Sequence, residues 1–472
     1  MSTLRRDLGV TLLANIISKP IWLFTDNLVQ NRIGHEAYGL IGALLGFGQW
    51  ATALADWGLY ALVTREMARD LGRYPVIGAT TLTLKFWLTL LVGILFLLLG
   101  WLLGYRGAQF LWLAALLLYQ LSLSYLQFFR AFFQGAQRFR VDALFSAGEK
   151  AFLVLLLVGS WSFLTGDLYV GLLLMAGLFT ASVAGFWVFR SYGWPRWESN
   201  FRPLWEVFRY MTPFALLGYA TALNDRLNQI LLERWIGAYE NGLYWGAYRW
   251  FSAAMMYLWI VMPLFFARFA RLGRQRTPEL WRTFIRGHLI SSLPLIGVTG
   301  LFVGEPKLFL VLFSHSTLWE IESMSSILEA LALPLVCNAL FTIYATYLTA
   351  VGYEWAAFKL MMGASVVNGV SCLWLLPALK GVGAALGLGV SYLFYGVGFV
   401  FLLGRVAPFP VPVKLLFRLG MLAIGYVGSL ALLRLGGTLP VGGVALCALP
   451  CLVVWVFLTG VWKYWRYAVR SR

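Results

Sequence analysis

The chain has 472 residues, 60% of them hydrophobic and 12% charged, with 37 Lys and Arg against 20 Asp and Glu and a formal net charge of +17. Its mean hydropathy is +0.76, and a soluble domain of this length needs a charged surface that such a composition does not supply. The positive excess is that of loops facing an anionic leaflet, which excludes nucleic acid as the partner it serves.

About 20 apolar residues cross a bilayer as helix, and by that measure the sequence predicts an all-α polytopic membrane protein of about 14 transmembrane helices. In chain order the expected spans are 8–30, 38–64, 79–104, 108–129, 142–163, 168–189, 207–232, 240–267, 284–303, 323–350, 355–376, 381–404, 415–434 and 441–462. Arg5 and Arg6 followed by an apolar run have the outline of a signal peptide. Lys19-Pro20 interrupts that run, no small-residue cleavage site follows and the apolar character resumes to Val29, so the segment reads as a retained first span.

The connections alternate in charge. One set carries Arg65, Arg130, Arg138, Arg190, Arg196, Arg202, Arg209, Arg268, Arg271, Arg282, Arg286, Arg405, Lys414 and Arg418 among others, and the opposite set only Arg32, Arg106, Arg234, Lys307, Lys380 and Arg434. Roughly 26 positive residues against 6 fix an orientation by the positive-inside rule, and an even span count puts both termini on the cytoplasmic side.

The chain also repeats itself. Ile33-Gly34 and Gly39-Leu40 recur as Ile236-Gly237 and Gly242-Leu243, and the same shift relates Ala51 to Ala254 and Arg65 to Arg268. Both copies run from an outer loop to a basic inner cap, so the expected fold is two six-helix lobes in a parallel pseudo-twofold repeat plus two C-terminal helices. The corresponding domains are 1–195, a cytoplasmic linker 196–206, a second lobe 207–406 and two additional helices over 407–472. Such repeats enclose a cavity near the midplane, where substrates of these transporters bind.

The charges inside the spans carry the functional argument. Thr11, Asn15, Lys19, Asp26 and Gln30 lie at helical spacing on one face of the first span, with Pro20 beside the lysine. Span 2 adds Gln49, Thr52 and Asp56, with Asp56 close enough to the inner end to pair with Arg65. Span 7 carries Asn224, Asp225, Arg226 and Asn228, and span 8 carries Arg249 between Tyr248 and Trp250. Lys85 and Glu149-Lys150 lie nearer the inner ends of their spans, where a long side chain reaches the interface. Ionisable residues at such depth face the bundle interior or water.

Lys19, Arg226 and Arg249 are the candidate contacts to a phosphate-bearing substrate, because cations bind phosphate oxygens strongly in a low dielectric. Asp26, Asp56 and Asp225 are the candidate carboxylates for Na⁺ or H⁺ as coupling ion, and Asn15, Gln49, Asn224 and Asn228 the polar lining; Lys85 and Lys150 are weaker candidates. No cofactor or resident metal is expected. Cys337, Cys372, Cys447 and Cys451 fall in apolar segments with no His or carboxylate beside them. Gly381 to Gly387 has the wrong spacing for a dinucleotide loop, and no phosphate loop with its lysine or Ser/His/Asp set is present, so the chain is not expected to be an enzyme.

Several stretches in order resemble the polysaccharide (Wzx-type) flippases of the multidrug/oligosaccharidyl-lipid/polysaccharide exporter superfamily. They are Ile33-Gly34 through Gly39-Leu40, Asp56-Trp57-Gly58-Leu59 into Arg65-Glu66, Phe128 to Gly135, Ile236-Gly237 with Gly242-Leu243-Tyr244, and Gly381 to Ala385. The resemblance implies two six-helix lobes working by alternating access, driven by a cation gradient. Its implied task is to carry undecaprenyl-diphosphate-linked oligosaccharide, as an O-antigen or exopolysaccharide repeat unit, from the cytoplasmic to the outer leaflet. It also implies a polysaccharide polymerase and a chain-length regulator as partners. The superfamily's lipid II flippases are similar in placing cations on the first and eighth helices, here Lys19 and Arg249. A multidrug/cation antiporter of the same fold and a lipid II flippase are the alternative readings, and a membrane glycosyltransferase or polymerase is a more distant one.

Overall fold

A computed structural model describes residues 21–273, 277–313, 316–406, 412–436 and 442–469. It contains α1 (residues 21–33), α2 (His35–Asp56), α3 (Leu59–Arg69), α4 (Tyr74–Leu102), α5 (Gly107–Gly135), α6 (Phe139–Ser160), α7 (Gly166–Tyr192) and α8 (Phe201–Trp235). These are followed by α9 (Ala238–Leu272), α10 (Pro278–Gly304), α11 (Pro306–Phe309), α12 (Leu318–Ala330), α13 (Ala332–Ala350), α14 (Glu354–Val406), α15 (Val413–Leu435), α16 (Gly443–Leu458) and α17 (Val461–Val469). No strand occurs among the described residues. Nine helices there are long and apolar enough to cross a membrane, which makes the chain a multi-pass membrane protein.

The chain divides into two compact units, Met1–Arg226 and Leu227–Arg472. The division falls inside α8, which runs unbroken through Pro213. In the first unit α5 packs against α2, α3 and α7. Leu59, Val63, Phe128, Phe132 and Phe133 form part of its apolar core. Small residues let the backbones approach: a Cβ on Gly135 would lie 2.7 Å from the Thr64 carbonyl oxygen, so the last residue of the Phe128–Gly135 stretch is held to glycine by packing. In the second unit α10 packs against α9, α13 and α15, and α13 against α14. There a Cβ on Gly396 would meet the Phe341 ring.

One expected span is interrupted, and two others are carried end to end on one helix. The span over 38–64 is divided at Trp57 and Gly58, both left-handed with φ 46° and 77°, because Trp57 is held out of the helix. Its indole N–H donates to the Phe208 carbonyl at 3.1 Å and its ring stacks on Phe208 at 4.5 Å. The expected spans 355–376 and 381–404 join in α14, whose path breaks at Lys380 (φ 47°, ψ −122°), three residues after Pro377. The span over 323–350 lies within residues Leu318–Ala350, where Leu331 joins α12 to α13 with helical dihedrals (φ −67°, ψ −11°).

The sequence repeat has a conformational basis. Gly34 precedes α2 with φ 89°, ψ 161°, and Gly237 precedes α9 with φ 128°, ψ 162°. Both values lie in a region that only glycine enters without strain, so each copy of the Ile-Gly pair starts its helix from the same turn.

Candidate functional site

The first unit holds a buried ion pair at the point where α2 breaks. Lys85 is fully buried. Its Nζ donates to Ser124 Oγ at 2.5 Å and to the Ala55 carbonyl at 3.2 Å, lies 3.8 Å from Asp56 Oδ1, and sits 5.5 Å from the centre of the Tyr125 ring. The break at Trp57 leaves the Ala55 carbonyl without a helical partner four residues on, and the ammonium takes that place. Two expectations are corrected here. Asp56 pairs with Lys85 and not with Arg65, which instead contacts Glu66 at 3.2 Å and donates to the Tyr210 hydroxyl at 2.9 Å. Lys85 does not reach out to the interface: α4 begins at Tyr74, so the lysine lies 11 residues along it, about 16 Å by helical rise.

A second cluster gathers around Asp26, which is 8% exposed. Its Oδ1 accepts from the hydroxyl of Tyr38 and, at 3.4 Å, from that of Tyr169. The two tyrosine rings stack at 6.3 Å. The same bundle contains Glu149, whose carboxylate accepts from Tyr119 at 3.3 Å and pairs with Lys150 at 3.1 Å. Lys150 also lies 4.6 Å from the centre of the Trp22 ring. Two buried carboxylates with hydroxyl donors around them make a place where a small cation or a proton changes the hydrogen-bond pattern.

The remaining residues singled out in the sequence are distributed as follows. Arg226 Nε donates to Gln49 Oε1 at 2.6 Å, which ties α8 to α2 within the first unit. Asn224 is fully buried and Asp225 half-buried. In the second unit Asn228 and Asn368 exchange hydrogen bonds at 3.0 and 2.7 Å, and Asn228 also donates to the Ala384 carbonyl at 2.5 Å. Arg249 is 5% exposed, 11 residues into α9, with its guanidinium 5.8 Å from the Phe313 ring centre and its Nε 3.5 Å from the Trp245 carbonyl oxygen. Asn15 and Lys19 lie outside the described residues.

Sequence reasoning passed over Tyr38, Tyr119, Tyr169, Ser124 and Asn368. A lone Asn368 in the apolar stretch from Met361 to Leu376 was a visible signal, since a carboxamide there requires a partner. The tyrosines gave none, because a Tyr in a membrane span is ordinarily read as an interface residue. Glu240 and Lys380 are a further pair, 2.6 Å apart, that fixes the kink of α14 to the start of α9.

Several solved structures share this fold. One is an inward-facing multidrug resistance MATE family transporter of the MOP superfamily, 14% identical, with a TM-score of 0.67 over 84% of this chain and 97% of that one. Another is the lipid II flippase MurJ in an inward closed conformation, 12% identical, with a TM-score of 0.68 over 98% of this chain and 99% of that one. A third is a MOP superfamily transporter from Pyrococcus furiosus, 14% identical, with a TM-score of 0.63 over 84% and 94%. At such identities the likeness carries the fold alone. No curated protein matches by sequence. Residues 4–272 match the family described as polysaccharide biosynthesis protein, and on that match, over more than half its length, the chain belongs to the polysaccharide biosynthesis protein family.

Proposed function

We propose that this protein is a flippase that moves a diphosphate-bearing, lipid-linked oligosaccharide from the cytoplasmic to the outer leaflet of a bacterial inner membrane. Membership of a polysaccharide biosynthesis family, in a chain folded like known transporters, is the observation that supports the reading. Lys19, Arg226 and Arg249 are assigned to the diphosphate. Arg249 suits that role by its depth, because a guanidinium so far along α9 has to be matched by an anion or by carbonyls. The Asp26 carboxylate is assigned to the coupling ion: protonation or Na⁺ binding there competes with the Tyr38 and Tyr169 hydroxyls and so links ion occupancy to the contact of α1 with α2 and α7. Asp56 is the weaker candidate for coupling, since Lys85 lies beside it. A polysaccharide polymerase and a chain-length regulator are the partners such a role would bring.

The test is flipping of a fluorescent undecaprenyl-diphosphate oligosaccharide in proteoliposomes, with and without a Na⁺ or H⁺ gradient. Gradient-dependent movement is expected, lost in Arg249→Ala and uncoupled from the gradient in Asp26→Asn. Uptake of a cationic dye with no movement of any lipid-linked sugar would overturn the reading in favour of a multidrug antiporter. Movement of lipid II alone would transfer it to peptidoglycan synthesis.

A further inference from the structure

The first unit has a cavity that neither the Lys85 pair nor the Asp26 cluster uses. It encloses about 590 Å³ and is lined by Trp87 of α4, Trp197 of the 193–200 segment, and Phe201, Leu204, Trp205 and Phe208 of α8. The α8 residues recur at helical spacing and share one face. Their rings form a row: Trp205 stacks on Phe208 at 5.6 Å, and Phe208 on Trp57 at 4.5 Å. The facing wall is fixed as well. Trp197 meets Phe86 edge-on at 5.3 Å, and the Glu198 backbone N–H donates to Thr83 Oγ1 at 3.1 Å.

The mouth of this cleft is open, with Trp87 53% exposed, Trp197 51% and Phe201 71%. On a membrane protein such rings face lipid, and an indole with one apolar and one polar edge belongs at head-group depth. The volume lies in the range of about 300–1,000 Å³ typical of ligand sites.

Three arginines stand beside the cleft, with Glu198 in its lining and Glu206 on α8. Arg196, Arg202 and Arg209 are all exposed. Arg202 and Arg209 are two turns apart on α8, on the face next to the aromatic row. Arg202 is paired with Glu206 at 3.0 Å, but the two side chains are 85% and 64% exposed, and so open a pair holds its arginine weakly against a phosphate. Glu198 lines the cleft itself, and its carboxylate accepts from the Asn200 backbone N–H at 2.9 Å at the start of the helix. A chain-sized, mostly aromatic slot with three exposed arginines beside it, in excess over Glu198 and Glu206, is complementary to a lipid that has both an alkyl chain and a phosphate.

We propose that this cleft binds an anionic phospholipid of the Arg-rich leaflet, one acyl chain lying between Trp197 and the Trp205–Phe208 row and the phosphate resting on Arg202 and Arg209. The inference rests on the membrane placement of the chain and stands or falls apart from the identity of the transported lipid.

The full-length protein is purified in detergent and titrated with phosphatidylglycerol or phosphatidylcholine of identical chains, with bound lipid read by native mass spectrometry. Phosphatidylglycerol is expected to bind in preference. Arg202→Gln/Arg209→Gln should weaken it roughly 30-fold, toward the phosphatidylcholine level. Trp197→Ala should weaken both lipids, and Arg405→Gln on α14 neither. Equal binding of the two lipids, or phosphatidylglycerol binding unchanged in the double variant, would overturn the proposal. So would displacement of the bound phospholipid, molecule for molecule, by a polyprenyl diphosphate, which would assign the cleft to the transported lipid.

Discussion

Replacing Asp56 by Asn tests whether the Lys85 ammonium is held in the first unit by charge. The pair is 3.8 Å apart, and the side chains are 0% and 29% exposed. At that separation Coulomb attraction in an effective dielectric near 20 is about 4 kcal/mol. Removing one member of a buried pair typically costs about 3–5 kcal/mol, because the other charge is left in a poor solvent. Lys85 keeps Ser124 and the Ala55 carbonyl, and the Asp56 side chain is only partly buried, so the expected loss for Asp56→Asn is about 2–3 kcal/mol. Lys85→Met is expected to cost less, about 1 kcal/mol, because it removes the lysine's burial penalty together with the attraction and leaves a carboxylate that is only partly buried. The double variant should then resemble Lys85→Met alone, a coupling of about 2 kcal/mol. The assay is a double-mutant cycle by equilibrium unfolding in mixed micelles, followed by circular dichroism. A parallel cycle between Asp56→Asn and Arg65→Gln should be additive, since Arg65 is engaged by Glu66 and Tyr210. A Lys85–Asp56 coupling below about 0.5 kcal/mol, or a larger one to Arg65, would refute the reasoning.

Asn368→Leu removes the donor to the buried Asn228 Oδ1, while the Asn228 amide keeps the Ala384 carbonyl, and should destabilise the second unit by about 1–3 kcal/mol in the same unfolding assay; Asn228→Leu/Asn368→Leu should recover part of that loss. Gly135→Ala should be damaging by about 1–3 kcal/mol, because the added methyl would lie 2.7 Å from the Thr64 carbonyl and backbone cannot step aside as a side chain can. Gly237→Ala and Gly34→Ala should each cost about 1–3 kcal/mol although nothing lies within 4 Å of the added methyl, since the cost is in φ and ψ. Gly148→Ala, open in the same way but inside α6 with ordinary helical backbone, should be neutral or stabilising by about 0.5–1 kcal/mol; equal melting of Gly237→Ala and Gly148→Ala would remove the conformational account of the repeat.

What the sequence made legible follows from which physical term each feature depends on. Spans depend on summed apolar character, so α4, α7 and α10 lie close to where hydropathy put them. The Ile-Gly repeat was legible because a backbone conformation only glycine tolerates leaves a glycine in each copy, whatever surrounds it. The break after Asp56 was not legible. Gly58 alone does not stop a helix in a membrane, and what fixes the turn is the seat that Phe208, about 150 residues away in the chain, offers to Trp57. The same non-local term decided the charges. Lys85 and Asp56 looked like separate, weak candidates because each was read against its own span, whereas the carbonyl released by the broken helix and the Ser124 hydroxyl from α5 join them. Asp26 was found from its depth, but its Tyr38 and Tyr169 shell was not, since the latter lies 143 residues on. In a chain this apolar, a buried charge is therefore easy to see and its partner is not: the first is a property of one helix, the second of how several helices pack. The Asp56 carboxylate, opposed by a buried lysine beside the broken end of α2, is suited to holding that break. The Asp26 carboxylate accepts instead from the hydroxyls of Tyr38 and Tyr169, which come from two other helices.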